Sequence, residues 1–179
     1  MSHDIAVIGN GCAALSLAAK AEQLPDYNLT LIRPNDAPKA KDHVWGFWSD
    51  ETLEDAVKLA KGTWHQWAVI TPKKRTIMSS TSMPYNAIKR SDWTAHCQSL
   101  AQSSGVKIID QEDWQMEDNS TVFDTRPPVV PDECILQHFH GLEIKTNTPV
   151  FDANTAILMD FRVDQSKGMH FIYLLPYLS

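Results

Sequence analysis

Apolar positions run unbroken through "IAVIG" at residues 5–9, the pattern of a short strand buried on both faces of a parallel sheet. From Cys12 to Leu24 the chain is mostly Ala, Leu, Lys, Glu and Gln, good helix formers, and Pro25 blocks continuation. "NLTLI" at 28–32 alternates and is β-prone, and "RPND" closes it as a turn. Strand, helix and strand in this order predict a right-handed βαβ crossover with parallel strands.

Further on, Ser49 to Gly62 reads as a second helix, with Ser49 as N-cap, Asp50 and Glu51 at its positive end and Gly62 closing it. Strand-like pieces follow at "WHQWAVI", "RTIMS" and "YNAI". Ser91 caps a third helix, "DWTAHCQSLAQSS", ending at Gly105, and "VKIID", "WQMED" and "STVFD" read as short strands after it. Pro127, Pro128 and Pro131 in "DTRPPVVPDE" disfavour a regular element and mark a domain crossing. Beyond it "ILQHFHGLEIKT", "TAILMDFRVDQ" and "MHFIYLLPY" read as three strands, the last two joined by a turn at "DQSKG". The expected architecture is therefore α/β: a Rossmann-like domain over residues 1–125, then the start of an antiparallel β domain over 126–179, incomplete at the last residue.

Composition narrows the function classes. A hydrophobic fraction of 43% over 179 residues supports a folded core rather than a disordered chain. The net charge of −6, with "KKR" at 73–75 the longest basic cluster, argues against a nucleic-acid footprint. Cys12, Cys97 and Cys134 are odd in number and in no metal spacing, so reduced thiols in the cytosol are expected. "MSHD" does not read as a secretory leader, and no apolar run approaches a membrane span, which leaves a peripheral position on the inner face of a membrane compatible.

The chemistry-bearing motif is "GNGCAA", where Gly9, Gly11 and Ala14 stand in G-x-G-x-x-A spacing between strand and helix. The first glycine permits the tight turn, the second lets a pyrophosphate approach the backbone, and the small third residue lets helix and strand pack closely. Helix N–H groups and dipole then favour phosphate, so Gly9, Asn10, Gly11, Cys12, Ala13 and Ala14 are the candidate dinucleotide site. The acid expected after the second strand, for the ribose hydroxyls, is replaced by Arg33, with Asp36 three residues late. Arg33 suits either a 2′-phosphate or solvent.

Several later segments, in order, resemble the flavin-dependent lycopene cyclases of carotenoid biosynthesis. "DIAVIGNGCAALSLA" is similar to that family's FAD-binding start and "DHVWGFW" to its H-x-W-x-F segment. "IKRSDWTAHCQSLA" resembles the step where the family places an arginine near the flavin, here Arg90. "LQHFHGLEI" resembles a Q-x-F-x-G-x-E segment, and "AILMDFRVDQSKGMHFIYLLPY" the family's MD…DQ…G…F-x-Y-x-LP hairpin. "VFDTRPP" stands where the family reads "IDGRG" and lacks both of its glycines.

The resemblance implies a flavoprotein that binds FAD, reduced in the working state with NAD(P)H as a reductant, and acts on lycopene or another linear carotenoid. The cyclisation it implies is redox-neutral and acid-initiated. The family's acidic motif and second flavin-contacting segment are expected beyond Ser179, so the chain is expected to be the N-terminal half, inactive by itself, and no catalytic residue is assigned within it. Two other classes stand beside this one: an FAD-dependent oxidoreductase or monooxygenase of the same architecture, and a non-catalytic remnant.

Four groups have both a functional and an ordinary reading. His138 and His140 share one face if their segment is a strand, which suits a metal, but no third ligand is near in sequence. Asp160 and Asp164 suit either supporting carboxylates or solvated hairpin acids. Trp45, Phe47 and Trp48 suit either a polyene or flavin wall or plain core. "KKR" suits either anionic lipid or solvent.

Overall fold

The computed structural model describes residues 3–36, 41–116 and 120–177. Its contacts group the chain into two units, Met1–His43 with Arg90–Gln137, and Val44–Lys89 with His138–Ser179. Where the prolines suggested one linear crossing, each unit is discontinuous. The second unit's first strand pairs with the strand that leaves it, Val44 opposite Lys89, so residues 44–89 form a closed excursion.

In the first unit, β1 (His3–Ile8), β2 (Tyr27–Arg33), β8 (Lys107–Asp110) and β9 (Thr121–Asp124) form a parallel sheet in the order β8-β2-β1-β9. The unbroken apolar run of β1 is explained by burial on both faces. Ile5 and Val7 pack with Leu29, Leu31, Ala14, Leu15, Cys97 and Ala101, whereas Ala6 and Ile8 pack with Ile32 on the other side. Val7, Leu31 and Ile32 are at most 1% exposed, each burial worth about 2 kcal/mol. Helix α1 (Cys12–Ala18) is followed by a 3-10 turn at Ala21–Gln23, so the expected helix to Leu24 tightens in its last part. Helix α3 (Arg90–Ser103) packs on α1, with Trp93 Nε1 donating to Ser16 Oγ at 2.9 Å. Its cap is Asp42 rather than Ser91: Ser91 N–H and Oγ both donate to the Asp42 carboxylate, at 3.0 and 2.9 Å.

The second unit holds two sheets. β3 (Val44–Trp48), β7 (Tyr85–Lys89) and β4 (Gly62–Trp64) are antiparallel in the order β3-β7-β4. β11 (Ile172–Leu174), β10 (Thr155–Asp160), β5 (Gln66–Ile70) and β6 (Arg75–Ser79) form the other. The β10–β11 hairpin is antiparallel as expected, but β10 lies parallel to β5, which makes this a mixed sheet.

Three expectations are corrected. The helix over 49–62 shrinks to a 3-10 turn at Glu51–Leu53 and α2 (Glu54–Lys58), capped by Asp50, which accepts from Thr52 N–H at 2.8 Å. Ser49 is taken elsewhere: fully buried Asn86 donates to its Oγ at 2.9 Å and to Pro84 O, and accepts from Thr63 Oγ1 at 2.7 Å. "WQMED" is irregular over Trp114–Met116, its remaining residues lying outside the described ones. "ILQHFHGLEIKT" is no strand, and Leu136, Phe139, Leu142 and Ile144 are all exposed. Alternation alone does not make a strand when no neighbouring edge offers partners for its backbone.

Candidate functional site

The chain runs β1, β2, β8 outward in one direction and then places β9 on the opposite side of β1. The carboxyl ends of β1 and β9 thus flank a switch in strand order, the place where open α/β sheets hold ligands. The glycine loop leaves β1 there.

The two glycines of the loop differ in kind. Gly9 has φ of +149°, its N–H donates to Ile32 O at 2.9 Å, and a Cβ on it would overlap Thr125 Oγ1 and come to 3.0 Å of the Ala14 Cβ. The protein's own packing requires that glycine. Gly11 has φ of −101°, which any residue adopts, and a Cβ on it would meet nothing within 4 Å. No packing in the first unit demands a glycine at 11. The space above it is open.

The helix behind the loop suits an anion. Gly11 is its N-cap, no side chain caps it, and its first turn holds no acid. The first intrahelical bond is Leu15 N–H to Gly11 O at 3.1 Å, so the amides of Cys12, Ala13 and Ala14 have no carbonyl partner from the helix. Asn10, Gly11, Cys12 and Ala13 are exposed, whereas Ala14 is fully buried and sets the close helix–strand packing. The six candidate residues therefore lie together at one end of β1.

The other candidates are placed by neighbouring elements. Arg33 ends β2 and is half exposed, its Nε 3.3 Å from Asp110 Oδ1 on β8. It is engaged with a protein carboxylate, a partner that the sequence did not reveal. Arg90 opens α3, its N–H donating to His43 O at 2.8 Å.

Thr125 is the residue that sequence reasoning missed. Both its N–H and its hydroxyl donate to Ile8 O, each at 2.9 Å, which docks the "DTRPP" turn beside Gly9 despite the missing glycines. The departure from the family's "DGRG" at this turn is the available sequence signal. Next to it, Asp124 is held well below the usual carboxylate range, at about 2, first by the side-chain bonds from Arg126 and then by the Arg126 N–H. The folded value lies below the ordinary 3.8, so this contribution is present above about pH 4 and is lost as pH falls through about 2. A carboxyl-carbon NMR titration is expected to place the Asp124 midpoint near 2, and Arg126→Gln to return it towards 3.8.

The second unit carries an aromatic cluster. Trp48 lies 4.9 Å from Tyr85 and 5.9 Å from Trp67, and Tyr85 and Tyr173 share a hydroxyl hydrogen bond. Burial pushes all three phenols Tyr85, Tyr173 and Tyr177 up, Tyr177 to about 12, so they are neutral at physiological pH. Asp160 is held at about 2 by Arg162, and Asp164 is lowered by its bonds from Ser166. His138 and His140 are exposed in the irregular segment, and among the described residues no group of three His, Cys, Asp or Glu is arranged to hold a metal. No helix among the described residues is long and apolar enough to cross a membrane.

A variant of 2-methyl-3-hydroxypyridine-5-carboxylic acid oxygenase superposes with a TM-score of 0.50 at 18% identity, over 62% of this chain and 32% of that one, a likeness of fold alone. Lycopene beta-cyclase of Pantoea ananas is 26% identical over 192 aligned positions, covering 97% of this chain and 49% of that protein. The chain thus spans about half the length of the curated relative it matches. The sequence profile of the family described as "Lycopene cyclase protein" matches residues 4–179, and the chain belongs to the lycopene cyclase family.

Proposed function

We propose that this chain is the part of a flavin-dependent lycopene cyclase that holds FAD, with residues Gly9 to Ala14 at the pyrophosphate. The observation that carries the reading is the open space over Gly11, beside unpaired first-turn amides and an acid-free helix start. Membership of the lycopene cyclase family supports a linear carotenoid as the substrate class. Arg33, already paired with Asp110, is the weaker candidate near the adenosine ribose, and Arg90 the candidate nearer the ring system. The first unit, residues 1–43 with 90–137, is read as the cofactor part and the second, residues 44–89 with 138–179, as the substrate part.

Cyclisation adds a proton to a terminal double bond, closes a ring onto the resulting cation and releases a proton, with no net electron transfer. Reduced flavin bound at the loop, first formed with NAD(P)H as reductant and not consumed by the cyclisation, would supply negative charge beside that cation. Asp124 and Asp160, both with values of about 2, are ionised near neutral pH and hold no proton to give. Neither is read as the catalytic acid. Exposed Lys73, Lys74 and Arg75, joined by exposed Ile77 and Met78 on β6, suit contact with an anionic membrane surface from which a carotenoid is drawn.

The test is a titration of the purified chain with FAD, followed in the visible spectrum, with ADP as competitor. Saturable binding that ADP displaces is the expected result. Failure to bind FAD under both oxidising and reducing conditions overturns the reading. Binding accompanied by NAD(P)H and oxygen consumption with a small aromatic substrate would move the chain to the monooxygenases.

A further inference from the structure

The turn after β9 carries a feature that the dinucleotide reading does not itself require. Thr125 spends two donors on one acceptor: its N–H and its Oγ1 both reach Ile8 O at 2.9 Å. Ile8 is the last residue of β1, and the chain turns at the next position with φ of +149°. The Thr125 hydroxyl occupies the volume that a Cβ of Gly9 would need, so hydroxyl and glycine fit one another across the turn. Gly9 N–H is tied on the other side to Ile32 O at 2.9 Å, which leaves the carbonyl of Ile8 as the matching handle on the β9 side.

We propose that Thr125 is a positioning residue for the glycine loop, its hydroxyl clamping the end of β1 so that Gly11 and the amides of residues 12–14 are presented in one fixed arrangement. This inference rests on the reading of the loop as a dinucleotide site. A glycine at 125 would retain the N–H bond and lose the hydroxyl bond, so the threonine does more than tolerate the turn. A loop held before the ligand arrives loses less conformational freedom on binding, and one hydroxyl-to-carbonyl bond changes an equilibrium by on the order of fivefold.

The experiment compares wild type, Thr125→Ser and Thr125→Ala in the whole chain by FAD titration and by amide hydrogen exchange without ligand. Thr125→Ala is expected to raise the FAD dissociation constant about fivefold and to speed exchange at the hydrogen-bonded amides that flank the loop, Gly9 and Leu15, by a similar factor. Thr125→Ser, which keeps the hydroxyl, is expected to stay within about twofold of wild type on both readouts. A lower melting temperature in Thr125→Ala with unchanged affinity and unchanged exchange at Gly9 and Leu15 would show a merely structural hydroxyl and overturn the inference. Slow exchange at Gly9 and Leu15 that depends on the hydroxyl, in a wild-type chain that binds no FAD, would remove the dinucleotide reading and the ligand role of Thr125 together. FAD binding by the wild type with equal affinity in Thr125→Ala would remove the role of Thr125 alone.

Discussion

Gly11→Val is expected to leave the chain folded and to weaken FAD binding at least a hundredfold, roughly 3 kcal/mol, whereas Gly9→Ala is expected to cost about 4 kcal/mol of stability. The contrast follows from what surrounds each position. At Gly11 the backbone is extended and the built Cβ touches nothing, so valine adds no overlap and costs within about 1 kcal/mol at an N-cap. Its methyl groups would instead fill the space through which a pyrophosphate reaches the backbone. At Gly9 the penalties add: an L side chain at φ of +149° is strained, and its Cβ runs into Thr125 Oγ1. Chemical denaturation of both variants, with FAD titration of whichever remains folded, checks the pair. Undiminished FAD binding in Gly11→Val would remove the ligand explanation for that glycine. Equal stability losses at the two positions would show that the open space over Gly11 is not there.

Gly46→Ala is expected to destabilise the second unit by about 3 kcal/mol, though it lies mid-strand in an ordinary extended segment. The reason is the phenol pair. A Cβ at 46 would overlap the Tyr85 hydroxyl and come to 2.8 Å of the Tyr173 hydroxyl, separating two groups that hydrogen-bond one another. Tyr85 is 6% exposed and packs against Trp48 and Trp64, so it has little room to retreat. Urea unfolding followed by tryptophan fluorescence reads the loss, since Trp48 stacks edge-on against Tyr85. Placing Gly46→Ala in a Tyr85→Phe background removes the hydroxyl in the way, and the added cost of the alanine is expected to fall by about 1–2 kcal/mol. Additive losses would place the strain elsewhere.

The βαβ start and the turn that opens its helix were legible because their signals are local. An apolar run, two glycines, a small residue and a stretch of helix formers act within a few residues of one another, and the structure keeps them in that order. Helix α3 was legible for the same reason. Elements that depended on distant partners were not. Ser49 looked like a cap until Asn86 claimed its hydroxyl, which passed the cap to Asp50. The alternation at 135–146 looked like a strand, but no edge receives it. β3 carries an aromatic segment whose role as a strand is set by pairing with β7, nearly forty residues on.

The candidate site divides in the same way. That Gly9 to Ala14 form a turn opening a helix was decided by the sequence itself, through backbone freedom at glycine and the packing of Ala14. Which glycine the protein's own packing requires and which has open space above it was decided only in three dimensions, because Thr125 reaches Gly9 and a Cβ at Gly11 would meet nothing within 4 Å. Arg33 and Asp110 likewise meet because β2 and β8 are in register, Arg33 opposite Asp110. Local propensity and spacing act along the chain and are readable from it. Pairing between strands far apart in sequence depends on which edges the rest of the fold leaves available, and only the tertiary structure supplies that.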